Sequence, residues 1–492
     1  MKYKALLLNV YFIIIIIYFF GRNFSTGVAY ADDAYFACVA KNLANGLGYG
    51  SCIEGRGFIP FDPEISTGIT VIFPVAIGIY LFGNKWYVPG MVCVFIWSFL
   101  LITIYKIARK HILYKNNKNI YIEGFFFLTL VLLVFSKHFE QWSQLLGEIP
   151  AALLIVLSFL IISRNELSYY NIALSCLICA FAAFTKLIVL PLFSILFIYI
   201  LLRLFMFHDK LNKLKAILLS IIFFIAPFVI FEIIKLISLN GFEDYINNIN
   251  KLANFITTQG LRSSGSILQL SNLYQRNLLI QNDFGISVVA VFVTTCASLL
   301  IIKKSNGILI GFAFMLTGAI LLLSCYYLIF SLGWARYYII TMVFWITLMS
   351  LALVSLKRIP GIVTFILVVG LLFFNNRESI ITRINEFSNL YKMSDELKSA
   401  LNCASIIDKN INNTNTNTFA TQWWATTCEL EYYSKNNQLF KRLSTIPEGT
   451  TITLAYRKQF LDKNDVTLEK IFENCDSIEY ESADHMIINS IK

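Results

Sequence analysis

No charged side chain interrupts the stretch Ala216-Ile-Leu-Leu-Ser-Ile-Ile-Phe-Phe-Ile-Ala-Pro-Phe-Val-Ile-Phe231. A helix needs about 20 mostly apolar residues to cross the hydrocarbon core of a bilayer, and here the apolar character continues to Ile237. The whole chain is similar, because 57% of its 492 residues are hydrophobic and only 14% are charged. A soluble globular protein carries about 25% charged residues. The sequence therefore predicts a polytopic α-helical membrane protein.

Apolar runs of this kind predict about eleven transmembrane helices, several of them short for a full span. They are Ala5–Gly21, Tyr87–Ala108, Ile120–Phe135, Ile149–Ser163, Tyr169–Thr185, Leu187–Phe207, Ala216–Ile237, Phe284–Ile302, Ile308–Phe330, Tyr337–Leu356 and Ile362–Phe374. A further apolar segment, Gly68–Gly83, contains Pro74, and we expect it to be a re-entrant or interfacial helix.

The distribution of basic residues predicts the orientation of these helices. Lysine and arginine number 40 against 30 acidic residues, which gives a net charge of +10. The basic residues of the short connections, such as Lys106, Arg109 and Lys110, fall on one side of the predicted topology. This positive-inside pattern places the N-terminus in the cytoplasm and the C-terminal tail outside. The richness in Ile, Asn and Lys favours a bacterial cytoplasmic membrane, and the basic excess then requires no nucleic-acid partner.

The orientation divides the chain into two predicted parts. Residues 1–375 form a transmembrane module with outside loops at 22–67 and 238–283, and residues 376–492 form an extracytoplasmic soluble domain. This tail has ordinary polarity, which distinguishes it from the rest of the chain.

The tail is predicted to be a small α/β domain. Met393–Lys409 has the pattern of an amphipathic helix, and Phe419–Tyr433 and Thr450–Tyr456 have the pattern of strands. An oxidising compartment permits a disulfide such as Cys403–Cys428, although sequence alone does not fix the pairing.

Two adjacent carboxylates, Asp32 and Asp33, lie at the start of a predicted helix in the first outside loop. The helical pattern runs from Asp33 to Asn45, and Gly46 is a typical C-terminal stop. Asp32 can simply cap this helix by accepting backbone N–H bonds. Two carboxylates at the mouth of a membrane cavity are also what a general base or a metal site requires. Both interpretations stay open at this point.

The order of several motifs resembles the GT-C superfamily of membrane glycosyltransferases, in particular its protein O-mannosyltransferase and aminoarabinose transferase branch. The acid pair follows the first span and leads into an Ala-rich helix and Gly46-Leu-Gly-Tyr49. Other similar motifs are Leu81-Phe-Gly83, Gly147-Glu148, Phe184-Thr-Lys186 and Gly333-Trp-Ala-Arg336. The pair departs from the family, which usually has Asp-Glu, because Asp33 stands at the second position. The family's Pro-Pro-Leu is replaced by Glu64-Ile-Ser-Thr-Gly68.

The resemblance implies a GT-C-like inverting enzyme that takes a sugar from a polyprenyl-phosphate donor in the bilayer. Asp32 would be the general base for the acceptor hydroxyl, with Asp33 as its companion. Basic side chains would stabilise the leaving phosphate. The candidates are Arg336 and Lys186, followed by Arg262 and Arg276 in the second outside loop. Tyr35 and Glu148 are expected to line the site.

Each of these roles has a plainer alternative. Lysine and arginine at the ends of spans often extend to the headgroups without a catalytic role, and Glu148 can cap its helix. No cofactor is expected to be required, although a divalent cation on Asp32 and Asp33 is an alternative. The acceptor can be a lipid, a glycan or a protein hydroxyl. The competing functions are a polysaccharide polymerase or ligase and a transporter or flippase of lipid-linked glycans. The sequence lacks a Walker or Rossmann phosphate-binding loop, so ATP-driven transport has no support.

Overall fold

The apolar stretches form helices in a computed structural model of the chain. The structure describes residues 2–29, 32–52, 58–108, 139–164, 166–206, 211–260, 270–303, 307–329, 335–356, 363, 366, 370, 377–387, 389–413, 418–421, 428–435, 441–442, 452–457, 475–481 and 485–491. The helices in chain order are α1 (Lys2–Thr26), α2 (Asp32–Ala44), α3 (Ile69–Phe82), α4 (Val88–Ala108), α5 (Glu148–Ile162), α6 (Tyr169–Thr185), α7 (Leu192–Met206), α8 (Lys213–Ser238), α9 (Phe242–Gly260), α10 (Leu270–Phe284), α11 (Val288–Ile302), α12 (Gly307–Ile329), α13 (Ile339–Ser355), α14 (Arg377–Phe387), α15 (Asp395–Asn413) and α16 (Cys428–Tyr433).

Several helix starts are set by side chains that accept a hydrogen bond from the first turn. Ser168 accepts from the backbone N–H of Asn171 at the start of α6. Asn212 does the same for α8 and Ser287 for α11. Such N-caps satisfy donors that the helix itself leaves unpaired, which explains why these spans begin where they do.

Five helices in the described part of the chain are long and apolar enough to cross a membrane. They are Val88–Ala108, Leu187–Met206, Lys213–Ser238, Leu309–Ile329 and Ala335–Leu353. A sixth results if Asn272–Phe284 and Val288–Ile302, which are bent by 75°, count as one span. Four shorter apolar helices are Ile13–Thr26, Ile69–Phe82, Glu148–Ile162 and Tyr169–Thr185.

The predicted number of eleven spans stays a prediction. Ile120–Phe135 lies outside the described residues, and so does most of Ile362–Phe374. The remaining predicted spans all coincide with helices, to within a few residues at their ends. The second predicted outside loop, residues 238–283, contains α9 and most of α10, for which the sequence reasoning made no prediction. The positive-inside orientation likewise stays a prediction.

The chain divides into two compact units. The first unit comprises Met1–Ile15, Phe95–Trp142 and Gly147–Glu386. Within it α5 packs against α6, α6 against α8, and α13 against both α11 and α12. In its apolar interior the Ser158 hydroxyl donates to the Ser175 carbonyl at 2.8 Å.

The second unit comprises Ile16–Val94, Ser143–Leu146 and Phe387–Lys492. Its core lies where α2 packs against α3 and α16. Ala34, Ala37 and Ala40 are fully buried there, and their small side chains allow the helices to approach closely. A short antiparallel pair, β1 (Gly50–Ser51) and β2 (Ile59–Pro60), follows α2. The second unit therefore combines the acid-pair loop with the tail, whereas the domain boundary predicted after residue 375 stays a prediction.

The tail contains one five-stranded sheet. Its strands are β3 (Thr418–Thr421), β4 (Lys441–Arg442), β5 (Ile452–Arg457), β6 (Cys475–Glu481) and β7 (His485–Ile491). Their order is β4-β3-β5-β7-β6. β3 runs parallel to β4 and β5, and β7 is antiparallel to β5 and β6.

Two expectations about the tail hold and two do not. The predicted helix is confirmed as α15, and the strand predicted at Thr450–Tyr456 is confirmed as β5. A single strand over Phe419–Tyr433 is wrong, because β3 ends at Thr421 and Cys428–Tyr433 is the helix α16. The aromatic and β-branched residues favoured a strand, but the turn Cys428–Tyr433 buries Leu430 and Tyr432 in the core of the unit. Cys403 and Cys428 are both free thiols, so the disulfide between them is not formed.

Candidate functional site

The acid pair lies in the first turn of α2, as the sequence predicts. The helix begins at Asp32 and places both carboxylates where its unpaired backbone N–H groups favour negative charge. The two side chains differ in exposure, since Asp32 is partly exposed and Asp33 is 5% exposed. One side chain of the pair is therefore partly accessible to solvent and the other is part of the interior.

Asp33 connects three segments of the second unit. One of its carboxylate oxygens, Oδ2, accepts the backbone N–H of Ala29 at 2.9 Å, and Oδ1 accepts that of Leu145 at 2.7 Å. Burial raises the pKa of Asp33 to about 7, although both hydrogen bonds act to lower it. The neighbouring Asp32 raises this pKa further. Asp33 thus holds the segment after α1, the start of α2 and the segment around Leu145 together. Its side chain reaches both donors although it is shorter than the glutamate usual in the family that the motifs resemble.

Asp32 has the properties of a candidate base. A carboxylate can accept a proton from an attacking hydroxyl only if that hydroxyl comes within hydrogen-bond distance. Partial exposure allows such an approach, while Asp33 fixes the turn on which Asp32 stands. Among the residues that the structure describes, no group of three or more His, Cys, Asp or Glu side chains is placed to hold a metal ion. The divalent cation stays an untested alternative.

The Tyr35 side chain lies inside the second unit, and its expected role in lining the site stays a prediction. Its side chain is fully buried, and its hydroxyl donates to Oδ2 of Asp62 at 3.1 Å. Ser51 donates to the same oxygen, and Oδ1 accepts the backbone N–H of Glu64 at 3.0 Å. Asp62 thus organises the loop after α2, a role that the sequence reasoning missed. Its signal is the turn residue pair Asp62-Pro63, since aspartate side chains commonly bond to the backbone two residues on.

Glu148 and Lys186 form a buried ion pair in the first unit. The Lys186 ammonium lies 3.3 Å from Oε1 of Glu148, and the side chains are 5% and 1% exposed. Glu148 is the first residue of α5, and Lys186 directly follows α6. Each charge therefore sits at the helix end whose dipole favours it. The sequence pattern predicts a separate role for each residue, but it does not predict that they pair.

The three arginines predicted to bind phosphate have different environments. Arg276 is 8% exposed, and its guanidinium donates to the carbonyls of Tyr327 and Leu328 at 3.3 and 2.6 Å, near the end of α12. Arg336 lies in a 3₁₀ turn, partly exposed, with its guanidinium carbon 5.2 Å from the centroid of the Tyr337 ring. Arg262 lies outside the described residues. Arg276 therefore has a structural task in the first unit, and phosphate binding stays a prediction for all three.

The sequence also missed a group of side chains that join α2 to the tail. Lys41 is 3% exposed, and its ammonium donates to the carbonyls of Glu431 at 2.8 Å and Ser434 at 2.7 Å. Tyr433 bonds through its hydroxyl to the backbone of Val28. The signal for Lys41 is its position four residues after Ala37, which places it on the small-residue face that the sequence already predicts to be packed.

Solved structures of two other proteins are similar to this chain. The crystal structure of ArnT from Cupriavidus metallidurans bound to undecaprenyl phosphate has a TM-score of 0.61 at 11% identity, over 98% of this chain and 97% of that chain. The apo state of ArnT gives the same score and identity over 99% and 97%. The apo Archaeoglobus fulgidus oligosaccharyltransferase has a TM-score of 0.44 at 11% identity, over 84% of this chain and 62% of that chain.

No protein-family model matches the chain, and no curated protein matches its sequence. The ArnT structures nevertheless extend over nearly the whole of both chains. The chain therefore has the fold of ArnT, in agreement with the fold that the resemblance of its motifs implies.

Proposed function

We propose that this protein is an inverting glycosyltransferase of the bacterial cytoplasmic membrane that transfers a sugar from a polyprenyl-phosphate donor to an extracytoplasmic acceptor. The observation that carries the proposal is the ArnT-like fold over 98% of the chain, together with an acid pair at the place where the motifs expect the catalytic base. The lipid donor is favoured because an ArnT with this fold binds undecaprenyl phosphate.

Asp32 is proposed as the general base. It would accept the proton of the acceptor hydroxyl as the hydroxyl oxygen bonds to the anomeric carbon and the bond to the donor phosphate breaks. Attack from the face opposite the phosphate inverts the anomeric centre. Asp33 would not take part in proton transfer, since both of its oxygens accept backbone N–H groups.

Arg336 and Lys186 are proposed to stabilise the negative charge that develops on the leaving phosphate. Arg336 is partly exposed and lies in a 3₁₀ turn, so a phosphate can approach its positive charge. Lys186 is held by Glu148, so its contribution would depend on that carboxylate as a positioning group. Arg262 and Arg276 are proposed to act in weaker, supporting roles. No cofactor is required by this chemistry.

The direct test is transfer by the purified full-length protein. Undecaprenyl-phosphate-linked hexoses and pentoses, labelled in the sugar, would be incubated with lipid, glycan and peptide acceptors. We expect Asp32→Asn to lower kcat by at least about 10²-fold, since a positioned base contributes that much. Arg336→Ala should also lower kcat. Asp395→Asn is a matched control, because Asp395 is an exposed aspartate in the first turn of α15.

The outcomes separate the competing functions. Wild-type turnover by a folded Asp32→Asn variant would refute the assignment of the base. A flippase would move the labelled lipid across a vesicle membrane without breaking the bond between sugar and phosphate. A polymerase or ligase would join lipid-linked glycans and would not depend on Asp32.

A further inference from the structure

The link between α1 and α2, which leads into the acid pair, is held by a side chain from the tail. The hydroxyl of Tyr433 accepts the backbone N–H of Val28 at 2.9 Å. The same hydroxyl donates to the backbone carbonyl of Val28 at 3.2 Å. One hydroxyl therefore satisfies both polar groups of a residue that lies four positions before Asp32.

Gly27 makes this contact possible. Its φ is +65°, in the region that favours glycine. A β-carbon at this position would lie 2.5 Å from the Tyr433 hydroxyl oxygen and 2.8 Å from Cδ1 of Leu397. A side chain at position 27 would therefore displace Tyr433 and Leu397. The link and the tail are therefore in direct contact at a position where the chain carries its smallest residue.

The helix that bears Tyr433 is fixed to α2 at both of its ends. At its start, the Cys38 thiol donates to the carbonyl of Cys428 at 3.2 Å. At its end, the Lys41 ammonium bonds to the carbonyls of Glu431 and Ser434. The last carbonyls of a helix have no partner within the helix and favour a positive charge. Lys41 supplies both, so α16 cannot shift along α2 without losing these bonds.

We propose that Tyr433 is a positioning residue: with α16 docked on α2, its hydroxyl holds the link at Val28 and so fixes the turn that presents Asp32. The inference rests on the proposed function for the role of Asp32. It assigns to the tail a part in positioning the proposed base. Asp33 of α2 accepts the N–H of Ala29, the next residue of the link. The link is therefore bonded to the tail at Val28 and to α2 at Ala29.

A neighbouring tyrosine allows this role to be separated from simple docking of the tail. Tyr432 is fully buried, and its hydroxyl donates to the carbonyl of Lys85 at 3.0 Å. Its ring lies 5.5 Å from the ring of Tyr433. The two hydroxyls thus make equivalent tail contacts within the second unit, but only that of Tyr433 bonds to the link.

The test compares Tyr433→Phe with Tyr432→Phe in the full-length protein. Each substitution removes one hydroxyl and keeps the ring. The first readout is amide hydrogen exchange of the peptide that contains Val28 and Ala29. The second is kcat and KM for an undecaprenyl-phosphate-linked sugar. Thermal unfolding of both variants controls for the general stability of the unit.

For Tyr433→Phe we expect exchange at Val28 to become about tenfold faster, because its N–H loses the only tail acceptor that the described residues give it. We expect kcat to fall about tenfold with KM within about twofold, since misplacement of a base affects the transition state more than donor binding. Tyr432→Phe should lower the unfolding temperature about as much as Tyr433→Phe does. It should leave hydrogen exchange at Val28 and the values of kcat and KM near those of the wild type.

Three results decide the matter. Unchanged exchange at Val28 in Tyr433→Phe would overturn the proposal whether or not the protein transfers sugar. Equal losses of kcat in the two variants would also overturn it, because docking alone would then explain the effect. If hydrogen exchange at Val28 is faster in Tyr433→Phe but the wild-type protein transfers no sugar, the contact between Tyr433 and the link is supported and the proposed function is refuted.

Discussion

The buried lysines Lys186 of the first unit and Lys41 of the second are held by different partners. In the first unit the Lys186 ammonium pairs with the Glu148 carboxylate at 3.3 Å, and both side chains are at most 5% exposed. In the second unit the Lys41 ammonium, 3% exposed, bonds to two backbone carbonyls at the end of α16. The first lysine is held by a charge and the second by the dipole of a helix.

This difference determines what each lysine can contribute. A buried ion pair leaves a costly charge behind when one partner is lost, but replacing both partners can be neutral. A lysine bonded to carbonyls leaves those neutral acceptors without a donor when it is removed. We therefore expect Lys186 to be the more sensitive position and Lys41 to affect mainly the contact between α2 and the tail.

The largest effect is predicted for Glu148→Ala, which removes one partner of the buried ion pair. The Lys186 charge would stay buried, so the free energy of unfolding should fall by roughly 3–5 kcal/mol. Thermal unfolding in detergent measures this loss. The double variant Glu148→Leu with Lys186→Met removes both charges and should recover most of it. A double variant as unstable as the single one would contradict the pair.

A smaller loss, roughly 1–3 kcal/mol, is predicted for Lys41→Met, because two buried carbonyls of α16 would lose their donor. Hydrogen exchange of residues 428–434 should show the loss at the tail helix first. Lys398→Met is the matched control. Lys398 is 55% exposed and pairs with an exposed aspartate, and such surface pairs contribute at most about 1 kcal/mol. Equal effects of the two substitutions would mean that the Lys41 contacts do not stabilise the docked tail.

Some helices could be predicted from the sequence and others could not. The helices of the first unit follow from long apolar runs with polar caps, and α6 begins and ends at the predicted residues, Tyr169 and Thr185. The helices α9 and α10 were missed, since they are too polar for a span and the sequence does not show what they pack against. The helix α16 was taken for a strand because its burial against α2 depends on residues nearly 400 positions earlier.

The candidate site shows a similar limit. The acid pair and its place at the start of α2 follow from the sequence, because a helix cap, a small-residue face and a terminal glycine are local signals. The division of tasks between Asp32 and Asp33 does not, since it depends on the backbone of Leu145. Likewise, Glu148 and Lys186 were each assigned a separate role because their pairing is set by how α5 and α6 pack together.

A pH dependence is also predicted for the second unit. Burial raises the pKa of Glu431 to about 7, and the Lys41 ammonium counteracts this only in part. Asp33 behaves similarly, with a pKa of about 7. In the unfolded chain both groups have ordinary pKa values near 4. The folded protein therefore binds more protons between these values, so stability should be greatest at the acidic end and should fall as the pH rises through about 7.

Glu431→Gln tests this sign because it removes one titrating group and keeps the shape of the side chain. In the wild type, the unfolding temperature should decrease from about pH 5 to about pH 8. The unfolding temperature of Glu431→Gln should decrease less over the same pH range. The difference from the wild type should be roughly 2–4 °C for each kcal/mol that ionisation of Glu431 costs. The exposed Glu396 of α15 supplies the control Glu396→Gln, which should follow the wild type. A steeper fall in Glu431→Gln would mean that the Glu431 carboxylate stabilises the tail as an ion, and the contact with Lys41 would then resemble the Glu148–Lys186 pair.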